Sequence, residues 1–171
     1  MKTYILYFSL FFLFATQSNL CDGKLLHEIN FSHKFSTSVG KDSFVLKLTG
    51  EKIIDGTISF EIIQNSGKVI YKTEFKAIEL IGYDYYDQKD ISKKDYIIKR
   101  MNEFFNESNF SYPAVSENDK YDDEYSDKKN WEDIKSDSSA IGFTYLLGEE
   151  NTISIAYSKK KKMVLEYFHC C

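Results

Sequence analysis

Any chemistry in this chain has to come from its cysteines, histidines, acids and tyrosines, and their spacing limits what that chemistry is. The 171 residues hold three cysteines, Cys21, Cys170 and Cys171, and three histidines, His27, His33 and His169. No Gly-x-Ser-x-Gly, P-loop or dinucleotide fingerprint surrounds them. His169, Cys170 and Cys171 are ligand types for a soft metal, but three adjacent residues cannot enclose one ion. Asp119, Asp122, Asp123, Glu124 and Asp127 are hard oxygen ligand types. They lack the alternate acids and central glycine of a calcium loop, and Lys120, Lys128 and Lys129 dilute their charge, so a solvated acidic loop is expected. No catalytic residue, metal or cofactor is assigned. The run Lys159 to Lys162 reads as a hairpin tip kept soluble by repulsion. Tyr83, Tyr85 and Tyr86, in Gly82-Tyr83-Asp84-Tyr85-Tyr86-Asp87, are the partner-binding candidates. Tyrosines in a loop offer rigid amphipathic contact area to a protein or a glycan. The competing reading folds the loop back over a sheet.

The N-terminus says where such binding would happen. Lys2 precedes an apolar run from Tyr4 to Ala15, followed by polar Thr16-Gln17-Ser18-Asn19 and then Cys21. A bilayer span needs roughly 20 apolar residues, so this shorter run reads as an export signal. Two maturations fit. Cleavage before Cys21 would leave it as the lipid attachment site, although Ser18-Asn19-Leu20-Cys21 matches a lipobox only in part. Cleavage near Thr16 to Asn19 would leave Cys21 to bridge Cys170 or Cys171 in an oxidising compartment. The expected organisation is a signal over 1–20, a tether over 21–41 and a single domain over 42–171 with an acidic loop at 116–137. The protein is expected to be exported to the outer membrane, periplasm or cell surface, lipid-anchored if Cys21 is modified.

The elements that must position the tyrosines follow from periodicity. With 13 Tyr and 14 Phe the chain carries enough large apolar area for a packed core, and a net charge of -4 gives no nucleic-acid footprint. Ile29, Phe31 and Phe35 suggest a short strand. Phe44, Leu46 and Leu48, then Ile58, Phe60 and Ile62, then Val69, Tyr71, Thr73 and Phe75 alternate with polar residues, as half-buried strands do. Asn65-Ser66-Gly67 turns the second into the third. Residues 92–107 carry Ile97, Ile98, Met101, Phe104 and Phe105 at helical spacing behind a Ser92 cap. Trp131 and Ile134 suggest a short docked turn inside the acidic segment. Ile141 to Leu147, Ile153 to Tyr157 and Met163 to Tyr167 form a second meander. The fold class expected is α+β, two antiparallel meanders forming one curved sheet packed on one amphipathic helix.

The exported N-terminus with its early cysteine, the segment Ile97-Ile98-Lys99-Arg100-Met101-Asn102-Glu103-Phe104-Phe105 followed by Phe110 and Pro113, and Ala156-Tyr157-Ser158-Lys159 resemble small exported, lipoprotein-like proteins of unknown function from Bacteroidetes. The resemblance implies location and a compact α+β domain, without an activity. The function expected is an exported envelope module that binds a membrane through its anchor and an envelope protein or glycan through its surface. The alternative is a secreted hydrolase whose site assembles only in the fold, from dispersed acids and His27 or His33.

Overall fold

A computed structural model describes residues 23–37 and 39–170; the segment expected as an export signal, Cys21 and Cys171 lie outside them. The first sheet runs β1 (Leu25–His33), β2 (Asp42–Thr49), β3 (Thr57–Ile63), β4 (Val69–Lys76), antiparallel and in chain order. Its register places Phe31 opposite Phe44, Leu46 opposite Phe60 and Ile58 opposite Phe75, so the alternation read from the sequence gives one continuous apolar face. The other face is polar, with Lys72 paired to Glu61 at 3.0 Å. Gly67 closes the β3–β4 hairpin at φ +85°, a conformation that residues with a Cβ avoid. The segment expected as a tether therefore contains a strand. From Glu28 to His33 its residues alternate in exposure, because Ile29 and Phe31 turn toward the core.

The second sheet runs β5 (Phe110–Ser111), β6 (Gly142–Leu147), β7 (Asn151–Ser158), β8 (Met163–Cys170), again antiparallel and in order. Between the sheets in sequence lies α1 (Lys93–Glu103). Ser92 caps it as expected, accepting from the Asp95 amide at 3.2 Å; the Asp95 carboxylate accepts from the Ser92 hydroxyl at 2.6 Å, where a capping box would have it accept from the Ser92 amide. The helix stops at Glu103, earlier than the predicted 107. Phe104 and Phe105 are buried from the turn beyond it. A second helix, α2 (Lys128–Lys135), forms inside the acidic segment, capped by Asp127 through the Asn130 amide at 2.8 Å.

One core joins α1 and both sheets. Phe60 on β3 meets Phe44 on β2, Phe104 and Phe105 after α1, and Phe143 and Tyr145 on β6, with ring centroids 5.6–6.2 Å apart. A second, smaller core of Ala114, Val115, Ile134, Ala140, Ala156, Leu165 and Tyr167 lies on the other face of the second sheet. The architecture is thus two antiparallel four-stranded sheets with two helices, where one curved sheet and one helix had been expected. The physical reason is that β6 and β7 bury both faces, so the second sheet is an inner layer with α2 outside it.

Candidate functional site

The tyrosine segment is a short 3-10 turn, Tyr83–Tyr85, that follows the first sheet. Gly82 starts it because a Cβ there would sit 3.0 Å from the Gly148 carbonyl oxygen and 3.3 Å from Asp84 Oδ1. The turn is thereby braced on the β6–β7 connection. The amide of Gly148 donates to the Glu79 carbonyl just upstream and ties the same two segments together. The three tyrosines divide. Tyr83 is 56% exposed and Tyr86 67%, whereas Tyr85 is half-buried with its ring 5.1 Å from that of Tyr96. One ring thus anchors the turn on α1, where folding back over a sheet was the competing expectation, and two are displayed by it.

Asp84 holds the turn to α1. The Tyr96 hydroxyl donates to Asp84 Oδ1, and Arg100 Nη1 lies 3.5 Å from the same oxygen. Tyr96 and Arg100 are four residues apart, which places them on one side of the helix. Burial raises the Tyr96 hydroxyl's pKa, the bond to Asp84 raises it further, and Arg100 works against both. The hydroxyl therefore stays a donor through the physiological range.

Beyond this network opens a cleft of about 400 Å³, lined by Asp84, Arg100 and Glu103 on one side, Asn106, Ser108 and Asn109 on another, with Phe104, Tyr145 and Leu146 beneath. Arg100 is the only arginine of the chain. Asn106 Oδ1 caps the short 3-10 turn after it, accepting from the Ser108 amide at 3.1 Å, and Asn109 Nδ2 donates to the Phe104 carbonyl at 2.9 Å. Those bonds fix both amides and leave Asn106 Nδ2 and Asn109 Oδ1 for a ligand. On the floor, the Tyr145 hydroxyl lies 2.8 Å from that of Tyr71, and burial, with Tyr71 next, holds its pKa far above the ordinary tyrosine value. A second hollow of about 330 Å³, lined by Glu79, Tyr83, Gly148, Glu149, Glu150 and Asn151, lies on the other side of the turn. There Tyr83 donates to Glu150 Oε1 at 3.1 Å, which raises the pKa of that hydroxyl. Adjacent residues Tyr83 and Asp84 thus wall two polar hollows. Fixed amides, one guanidinium, carboxylates and displayed rings therefore surround the turn. No side chain here has the paired base and nucleophile that acyl transfer needs.

The histidines fall elsewhere. His27 Nε2 lies 3.0 Å from Asn102 Oδ1, and His169 Nδ1 lies 2.9 Å from Glu166 Oε1. His33 meets a carboxylate from a distant segment of the chain. Its Nε2 is 2.6 Å from the Tyr112 hydroxyl and 3.5 Å from Glu107 Oε1. Its Nδ1 is 2.7 Å from its neighbour's carbonyl and its ring stacks on Phe110 at 3.9 Å. This cluster joins the edges of the two sheets, and neither His33 nor Glu107 lines the hollows above. In the acidic segment, Asp119 accepts from the Ser116 amide and Asp122 from the Glu124 amide, so these acids hold local backbone. Among the described residues no group of three or more His, Cys, Asp or Glu is placed to hold a metal, and no helix is long and apolar enough to cross a membrane. Cys170 ends β8; the lipid-attachment candidate Cys21 lies outside the described residues.

Sequence reasoning singled out the tyrosines but not Asp84, Arg100, Asn106 or Asn109, which line the cleft beside them. The lone arginine was the one available signal. Set against family models, curated proteins and solved structures, the chain gives no match, so the functional reading rests on the site itself.

Proposed function

We propose that the protein is an exported, lipid-anchored binding module of the cell envelope that holds an envelope protein or glycan at the tyrosine turn and its flanking hollows. The observation that carries this reading is the display of Tyr83 and Tyr86 on a turn fixed by Tyr85, Asp84 and Arg100. Exposed aromatic rings on a rigid support present contact area at low ordering cost, and they concentrate binding energy where they meet a partner. The cleft beside them supplies donors and acceptors in fixed directions, which suits hydroxyl-rich or peptide ligands.

The test is retention of immobilised envelope glycans and envelope proteins by the purified protein. The double variant Tyr83→Ala/Tyr86→Ala is expected to lose binding at least about tenfold, as truncated hot-spot aromatics do, with its melting temperature unchanged. Undiminished retention by that variant would remove the turn from the function. The hydrolase reading draws on the His33–Glu107 pair at 3.5 Å. It ranks second, since one ring nitrogen of His33 is bound to its own chain and the ring is stacked against the core.

A further inference from the structure

We propose that the face made by the start of β1, the β2–β3 turn and the start of α1 rests on an anionic lipid bilayer. This rests on the lipoprotein reading of Cys21. A hollow of about 460 Å³ opens on this face, lined by Leu26, Ile53 and Ile54 together with Lys52, Lys94 and Glu51. Beside it Leu25 is 52% exposed, a large aliphatic side chain in water at the start of a strand. Lys24, Lys52 and Lys94 are all exposed, and none has a carboxylate within ion-pair distance among the described residues. Against them stands one lining acid, Glu51. The chain as a whole is acidic at -4, so a cationic rim around an apolar hollow departs from the rest of the molecule.

The path of the chain selects the occupant. Gly23 is packed so closely on the β2–β3 turn that a Cβ there would sit 2.8 Å from the Gly50 nitrogen. The Gly50 amide donates to the Lys24 carbonyl at 3.0 Å, fixing the backbone up to that point. Cys21 precedes Gly23 by two residues, a reach of at most about 7 Å even fully extended. Acyl chains on Cys21 would therefore enter the bilayer beside this face, with no slack for the domain to stand away from the headgroups. A surface held there is favoured when it offers aliphatic groups to the interface and lysines to anionic headgroups, each lysine contributing about fivefold in affinity. The helix supports the same orientation. Lys94 lines this hollow and Glu103 lines the binding cleft, and nine residues of helix separate them by about 14 Å along the axis. The hollow and the cleft thus lie toward opposite ends of α1.

The experiment uses the full-length chain exported with its own signal, its acylation checked by intact mass. The protein is placed in vesicles of phosphatidylcholine, alone or with phosphatidylglycerol, that carry brominated lipids. Trp131, on the outer layer of the second sheet, is the built-in reporter of a surface away from the membrane. Two single-tryptophan variants, Trp131→Phe with Leu25→Trp and Trp131→Phe with Ile53→Trp, report on the proposed face; the second covers a folding failure of the first. Quenching at least about threefold stronger at position 25 or 53 than at Trp131 is expected, rising with phosphatidylglycerol. Adding Lys24→Glu, Lys52→Glu and Lys94→Glu should bring it down toward the Trp131 level. Equal quenching at all three positions in acylated protein would overturn the orientation while leaving the anchor standing. A mature mass without acyl chains would overturn both. Shielding of position 25 or 53 in vesicle-free protein that sediments as a dimer would give the face to a second copy and likewise overturn the proposal.

Discussion

The two sheets have the same number of strands, the same order and the same antiparallel pairing, yet they are solvated differently. The first keeps one face wet: Glu61, Lys72 and Glu74 pair across it, and Glu28 binds Asn30. The second is covered twice, by the aromatic core on one side and by α2 with Ala114, Val115 and Ala140 on the other. The difference lies in the residues that face outward. In the first sheet they are long and charged. In the second, Gly142, Ala156 and Leu165 follow one another across β6, β7 and β8. A Cβ on Gly142 would lie 2.3 Å from the Ser111 Oγ and 2.6 Å from the Tyr167 hydroxyl, so the small residue admits a second layer. Closeness of approach, more than hydrophobicity, decides which sheet becomes the inner one.

Truncating the ring shared by both sheets should have the largest effect. Phe60→Ala removes a fully buried ring that touches β2, β4, β6 and the turn after α1. It is expected to cost about 3–5 kcal/mol in a denaturant titration, whereas Glu74→Ala on the wet face should stay within about 0.5 kcal/mol. The next effect tests the double covering. Ile134 is buried on α2 under the second sheet, and Ile134→Ala should cost in the lower part of about 2–5 kcal/mol. A loss below about 0.5 kcal/mol would mean that the 116–137 segment is a solvated loop and that the two sheets are alike after all.

That segment also shows what the sequence makes legible. Strands β2, β3 and β4 and their Gly67 turn could be read because alternation and turn chemistry are local signals. Helix α1 was legible for the same reason, its Ser92 cap standing just ahead of a stripe that begins at Ile97 and is buried there and at Met101. The outer face of the second sheet was not. Thr144, Ser154 and Ser158 look like solvent-facing positions, but Ser154 and Ser158 are buried, satisfied by Thr144 at 2.8 Å and by Asp133 from α2. A buried hydroxyl with a partner costs little, and the partner comes from a distant segment that no local pattern announces. The cleft beside the tyrosine turn was hidden likewise. Asp84, Arg100 and Asn109 become a site only when the loop, the helix and the next turn meet, whereas exposed tyrosines announce themselves.

The smallest expected effect concerns the seam where the edges of the two sheets meet. Tyr112, just past β5, donates to Glu107 Oε1 at 2.7 Å, and His33 at the end of β1 stands 3.5 Å from that oxygen. The Tyr112 hydroxyl is the main reason the Glu107 carboxyl titrates below its ordinary value of 4.5; slight burial opposes it and His33 adds to it. The sign follows from linkage. A carboxyl depressed in the folded state contributes stability that is fully present above its unfolded pKa and is lost as pH falls through the folded one. The seam should therefore loosen only on the acid side, below about pH 4.5. The partner moves the opposite way: burial and then Glu107 push the Tyr112 hydroxyl up to about 12, so it remains a donor across that whole range. Tyr112→Phe removes the leading cause, and the Glu107 midpoint, followed by carboxylate carbon NMR, should rise toward 4.5. The acid limb of the stability curve should lose its Glu107 contribution by a small amount, because the carboxylate is exposed and well solvated. A midpoint that does not move would show that the hydroxyl and the carboxylate are not bonded in solution. The Tyr112–Glu107 bond would then contribute nothing to joining the two sheets.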